Sequence, residues 1–223
     1  MNEAIQPTLN RLSKVLPEYG ARFDRTLASA RLAIGDHCDP SNRAHAVALR
    51  GWLNKWICHI RVPEAGESDP FVANLAEWWP SAERQLPDES LTLARLTDHN
   101  LDAIASAYGT LQGRTAAVNR SGQARTFAPT ATSKILYFVR PQAVTPWDKA
   151  ISRHVPGHGA AAFRAHLEVC RSFGQELIQE AALGGLTEAE IGPSLGRPDS
   201  SVAKLIDEWL YQTITRRVHP KMS

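Results

Sequence analysis

Thr132-Ser133-Lys134-Ile135-Leu136-Tyr137-Phe138-Val139, running on into Arg140-Pro141, is the stretch that decides how this chain folds. Its unbroken apolar run suits a buried strand or a buried helix equally, because periodicity carries no information when every face is apolar. A strand needs a partner, and no alternating apolar–polar run is evident elsewhere in the 223 residues. The stretch therefore reads as a buried helix that ends before Pro141, whose ring disfavours helical backbone at the residue before it. The expected fold class is all-α.

Working outward, helix follows helix. Ser41 caps a helix running to about Ile60, with Val47, Ala48, Trp52, Leu53, Trp56, Ile57 and Ile60 on one stripe, and Pro63 stops it. Phe71–Trp79 reads as a short helix ended by Pro80, and Asp98–Tyr108 as one closed by Gly109. Residues 113–129 form the most polar and least periodic part of the chain. Thr145-Pro146 then opens a helix with Thr145 as cap and Pro146 in the first helical position. Gly159–Ala182 is a long amphipathic helix turning Phe163, Leu167, Cys170, Leu177 and Ile178 inward, and Gly184-Gly185 ends it. The last helix begins at Ser200 or Ser201 and continues through Trp209 towards Thr215.

The charge is uneven. Between Thr110 and Ala165 lie eight Lys/Arg (Arg114, Arg120, Arg125, Lys134, Arg140, Lys149, Arg153 and Arg164) against one carboxylate, Asp148. That segment carries +7 in a protein of net +2, so the remainder carries −5. Such a split points to a polyanion on one face, and nucleic acid is the commonest polyanion. Segment 110–165 is expected to face DNA, with 1–109 and 166–223 completing one helical unit. No apolar run is long enough to span a bilayer, and no basic-then-apolar leader opens the chain. Cys38, Cys58 and Cys170 are too few and too scattered for a disulfide framework or a four-cysteine metal site; free thiols of a cytoplasmic protein are expected.

The order of these parts is an apolar helix carrying Lys134, a short link with Pro141, then Pro146-Trp147-Asp148 and Arg153 five residues on. Over residues 121–155 it resembles the helix-hairpin-helix DNA glycosylases of the HhH-GPD superfamily, where a Pro-x-Asp segment places the catalytic aspartate at a helix start. The resemblance implies a two-lobed, all-α, monomeric enzyme. It would hydrolyse the N-glycosidic bond of a modified or damaged base flipped from DNA, with no metal or cofactor. It points to a divergent branch, in repair or in defence against phage with modified DNA. Asp148 would be catalytic, stabilising positive charge on the deoxyribose and orienting water.

The same resemblance names the supporting residues. Trp147, Tyr137, Phe127 and Trp52, with Trp56 beside them, would receive the extruded base. Arg120, Arg125, Thr132, Ser133, Lys134, Lys149, Arg153 and His158 would hold phosphates. The hairpin of those enzymes is glycine-rich, whereas Pro129-Thr130-Ala131-Thr132-Ser133-Lys134 has no glycine, so hydroxyls would have to substitute. Aligned on the hairpin, Lys134 falls where the bifunctional members carry a Schiff-base lysine; aligned from Pro141, no lysine does. The shorter link favours a monofunctional enzyme.

Other readings stand beside this one. Thr145-x-x-Asp148 is also the capping-box pattern of an ordinary helix start, which would make Asp148 structural. Trp52 and Trp56 on an apolar stripe are core residues by default. His154 and His158 are separated by Pro156-Gly157 and do not make a metal pair. Residues 186–202 have the cadence of a helix-turn-helix, so a non-enzymatic DNA-binding regulator or a helical interaction module is the alternative; Asp207 and Glu208 on its second helix argue against groove insertion.

Overall fold

The computed structural model describes residues 6–19, 22–35 and 37–218. Ten α-helices and one two-stranded sheet are present among them, in the order α1 (Leu9–Val15), α2 (Arg22–Ile34), α3 (Arg43–Lys55), α4 (Pro70–Gln85), α5 (Asp98–Gln112), β1 (Thr115–Val118), β2 (Ala124–Thr126), α6 (Pro129–Val139), α7 (Lys149–Ser152), α8 (Gly159–Leu183), α9 (Glu188–Ser194) and α10 (Val202–Leu210). A π-helical turn, Tyr211–Thr215, continues α10. No helix among the described residues is long and apolar enough to cross a membrane.

The deciding stretch is a helix. Pro129 occupies the first turn of α6, where its missing N–H costs nothing, and every residue from Ala131 to Val139 is buried. A helix buried on all sides has no amphipathic period, which is why its sequence suits a strand equally. It packs against α3 and α5. Helix α8 forms the other axis of the molecule, against α5 on one side and α10 on another. Close approach of α5 and α8 depends on Gly109, where an added Cβ would stand 3.2 Å from the Ala160 Cβ. That is why Gly109 lies inside α5 and does not close it; Gly113 is the C-cap.

Three further boundaries differ from expectation. Asn42, not Ser41, caps α3, and α3 stops at Lys55, leaving Val47 and Ile57 exposed instead of on the inner stripe. Helix α4 continues five residues past Pro80 to Gln85; Pro80 is exposed, so the ring removes one ladder bond on the solvent side. Residues 115–126 form an antiparallel hairpin pairing Thr115 with Thr126, Ala117 with Arg125 and Val118 with Ala124. All three residues of β2 are exposed, so no alternation marks it. The Asn119 side chain ties the hairpin tip, accepting from Ser121 N at 3.0 Å and Gln123 N at 2.8 Å, and Asn74 bonds the Thr115 carbonyl at 2.9 Å to hold the hairpin on α4.

Candidate active site

The link between α6 and α7 is pinned from three sides. The Ser133 hydroxyl accepts from Trp147 N at 3.3 Å and lies 3.2 Å from the Trp147 carbonyl. The Thr145 hydroxyl donates to the Ala203 carbonyl of α10 at 3.4 Å. From α8, fully buried His166 places Nε2 3.1 Å from the Thr145 carbonyl. A carbonyl only accepts, so Nε2 carries the proton, and burial lowers this imidazole to about 4, keeping it neutral. Thr145 is therefore buried in an extended link and does not cap α7; the expected start at Thr145-Pro146 lies three residues too early.

Asp148 is the cap. Its Oδ1 accepts from Ala150 N at 2.7 Å and Ile151 N at 2.8 Å, and its Oδ2 accepts from the Thr215 hydroxyl at 2.6 Å. The carboxylate is thus fixed by two amides of its own helix and by the turn after α10, while the residue stays only half-buried. As a cap it contributes roughly 1 kcal/mol. Fixed orientation and partial access to solvent are also what a charge-stabilising carboxylate requires.

Lys134 lies close by. Its Nζ donates to the Trp56 carbonyl at 3.1 Å and sits 4.6 Å over the Trp56 ring. Burial pulls this amine below the usual lysine range, against the opposing fields of Cys58, Asp207 and Asp148. On the same indole, 5.5 Å from the ring, is the ammonium of Lys204. Although burial disfavours its charge, Asp207 and Tyr19 hold Lys204 well above its ordinary value, with contacts of 2.8 Å to Asp207 Oδ2, 3.0 Å to the Tyr19 hydroxyl and 3.6 Å to Glu208 Oε1. Arg197 pairs with the same Glu208. The end of α3, α6, the start of α7 and α10 with its π turn therefore converge on one charged cluster.

Several expected site residues lie elsewhere. Trp147, Phe127 and Trp52 are 3%, 0% and 1% exposed, so they are core and offer no surface to a base. Trp147 packs against Tyr108 and Phe163, Phe127 against Phe71, and Trp52 against Phe138. Tyr137 is buried too, its phenol pushed up to about 12 by desolvation, yet it borders a recess of about 440 Å3 that Arg31 and Lys204 also line. Thr132 and Ser133 are fully buried; Thr132 bonds the Ala128 carbonyl and Ser133 the α7 link, so neither hydroxyl reaches a phosphate. Ser133 positions the aspartate's segment instead.

The basic segment is also smaller than its sequence suggests. Arg114 pairs with Glu77, Arg140 with Glu89, and Arg164 with Asp102 and Glu168, all acids from outside the segment, and Lys134 is buried. Arg120, Arg125, Lys149 and Arg153 remain, exposed and without an ion pair among the described residues. His158 is exposed at the N-cap of α8, and His154 turns back to the Ala150 carbonyl at 2.9 Å. Arg120 and Arg125 line a groove of about 530 Å3 between the hairpin, the start of α6 and residues 58–61.

Thr215, Lys204 and Cys58 are site residues that the sequence reading missed. Lys204, Asp207 and Glu208 do stand at i, i+3 and i+4, a spacing that brings their side chains together on one helix face. Thr215 has no signal, because only the turn after α10 carries it to Asp148. Helix α10 is buried along its whole length, so it presents no face to a DNA groove and the helix-turn-helix alternative fails on it. No protein-family model, no curated protein and no solved structure matches this chain.

Proposed function

We propose that the protein is a DNA N-glycosylase, helical and two-lobed in the manner of the HhH-GPD enzymes, that uses Asp148 to hydrolyse the bond between deoxyribose and a flipped, modified or damaged base. The observation carrying this reading is the carboxylate itself. It is fixed by two α7 amides and the Thr215 hydroxyl, and it is half-open to solvent. Lys149, the first residue of that short helix, and Arg153, its C-cap, are exposed and have no acidic partner among the described residues. As the base departs, its bonding electrons leave with it and positive charge grows on the sugar. A fixed carboxylate facing that charge lowers the barrier without having to reorient, and water completes the reaction, its hydroxyl bonding to the sugar and its proton going to the departed base. Abasic-site formation on DNA carrying modified bases is the test.

Phosphate binding belongs to Arg120 and Arg125 on the hairpin and to Lys149 and Arg153 at the two ends of α7. Reversing Arg125 and Arg153 to Glu is expected to abolish most binding and to flatten its salt dependence, by about 0.9 in log–log slope for each phosphate no longer neutralised. The same reversal at Arg114 and Arg164, which are already neutralised by Glu77 and Asp102, is expected to change affinity far less. Fluorescence anisotropy on a duplex at several salt concentrations measures both. Equal losses from the two pairs would contradict the assignment of the DNA face.

A second reading is favoured by the downward shift of Lys134, since a neutral amine can attack the sugar and form a Schiff base. Against it, the Nζ already donates to the Trp56 carbonyl and lies on an indole face, and the residue is only 8% exposed. We expect an intact abasic product and no covalent species on borohydride treatment. A trapped adduct that vanishes in Lys134→Ala would make the enzyme bifunctional.

A further inference from the structure

Three cations from separate parts of the chain wall the recess of about 440 Å3 beside Tyr137: Arg31 of α2, Arg197 from the turn after α9 and Lys204 of α10. Lys204 and Arg197 are tied back to Asp207 and Glu208. Arg31 is not. Its Nε is shut off from solvent and makes no hydrogen bond, and its guanidinium forms no ion pair among the described residues. Glu89 borders the neighbouring recess with Arg31 but is committed to Arg140 and His37. The Arg31 Cζ lies 5.7 Å from the Phe138 ring, a contact that orients the fork without supplying a counter-charge. Drawing a guanidinium out of water with no acid opposite costs free energy, and an anion in the recess offsets that cost.

Other groups of the same wall are open to a ligand. The Ser200 hydroxyl and the Gln142 side-chain amide make no hydrogen bond among the described residues. Helix α10 begins at this wall, through Ser200 and Ser201, and adds the positive end of its dipole. Leu27, Pro141 and Pro198 make the remainder apolar. The volume is in the range of small-molecule sites and exceeds what a free phosphate needs. The recess is also separate from the surface assigned to DNA. That groove opens at the other end of α6, by Ala128 and Ala131, and shares no lining residue with it. Nearly two turns, about 9 Å of helix, lie between Ala131 and Tyr137.

We infer that the recess binds a phosphate monoester of about mononucleotide size, with its phosphate among Arg31, Arg197 and Lys204 and its body against Leu27, Pro141 and Pro198. A guanidinium fork meets two phosphate oxygens at once, and a monoester brings close to two negative charges at neutral pH. Asp199, the one acid among the described lining residues, is exposed at the rim. It keeps the phosphate to the inner end and can accept from hydroxyl or amino groups of the body. The inference stands apart from the glycosylase reading, since neither Asp148 nor the hairpin arginines take part.

Calorimetric titration and thermal melting of the full-length protein test it, with AMP, inorganic phosphate and adenosine as probes and ionic strength held constant with chloride. AMP is expected to bind saturably and, at about a hundred times its dissociation constant, to raise the melting temperature by about 5–10 °C. Inorganic phosphate should compete with AMP more weakly, and adenosine should bind about tenfold or more below AMP. Arg197 and Lys204 also hold buried acids, so the discriminating changes fall on α2. Arg31→Gln removes the unpaired charge, and Ala28→Trp fills the recess from an exposed lining position. Each is expected to weaken AMP by about tenfold or more and, without ligand, to melt close to wild type.

A wild type that takes up no AMP overturns the inference, and so does adenosine that binds as tightly as AMP. Undiminished AMP binding by Arg31→Gln does the same, because the phosphate would then lie elsewhere. Should Arg31→Gln fail to fold, Ala28→Trp decides alone: wild-type affinity with the recess filled overturns it. Base excision enters none of these measurements.

Discussion

Asp148→Asn should leave a folded protein that binds DNA at least as tightly as wild type but excises bases slower by orders of magnitude. The amide keeps the size of the carboxylate, and its oxygen can still accept from Ala150 N and Ile151 N. What it loses is the charge opposite the developing cation, and the neutral amide puts nothing equivalent in its place. The Thr215 hydroxyl donates to the other carboxylate oxygen, and the amide nitrogen cannot accept that bond. That loss, together with a weaker cap, sets the stability cost at roughly 1–2 kcal/mol. Excision rate and melting temperature, measured on the same preparations, separate the two roles. A variant that excises at the wild-type rate with a lowered melting temperature would make Asp148 a helix cap and nothing more.

Lys204→Met is expected to be the most damaging single substitution outside the apolar core. Its stem fits the same space, but Asp207 loses its Lys204 partner in a buried site and Glu208 loses one of its two cations, keeping Arg197. Removing one member of a buried ion cluster costs about 3–5 kcal/mol, a large part of the roughly 5–15 kcal/mol that holds an ordinary domain together. Adding Asp207→Leu should return part of the loss, since the orphaned charge is removed with its desolvation cost. Urea unfolding midpoints of the single and double variants measure this. A Lys204→Met protein as stable as wild type would mean that the cluster is hydrated in solution.

Helix α6 is legible in the sequence because a short apolar run with no partner strand has few alternatives. The long α8 is legible because Phe163, Leu167, Cys170 and Leu177 recur at helical spacing. Hairpin 115–126 is not, since β2 is exposed on both faces and its order comes from the Asn119 tip and the Asn74 contact. Helix α4 runs on through Pro80 because an exposed proline costs one solvent-side bond and tertiary packing outweighs it. Asp148 stands out as the one acid in a basic segment, but its partner Thr215 lies 67 residues away and nothing local announces it. The charge count overstates the basic face because formal charge takes no account of pairing: Glu77, Glu89 and Asp102 neutralise arginines that are distant from them in sequence.

If Asp148 drives release of a base from DNA, abasic sites must appear in its presence and not without it. They are read as strand breaks after alkali, on duplex and single-stranded DNA carrying a panel of natural, damaged and phage-type modified bases. Wild-type protein is predicted to give alkali-dependent breaks at one class of base and no breaks without alkali, and Asp148→Asn to give none above background. Breaks that form equally with both proteins, or a wild type that binds the whole panel and releases no base, would contradict it.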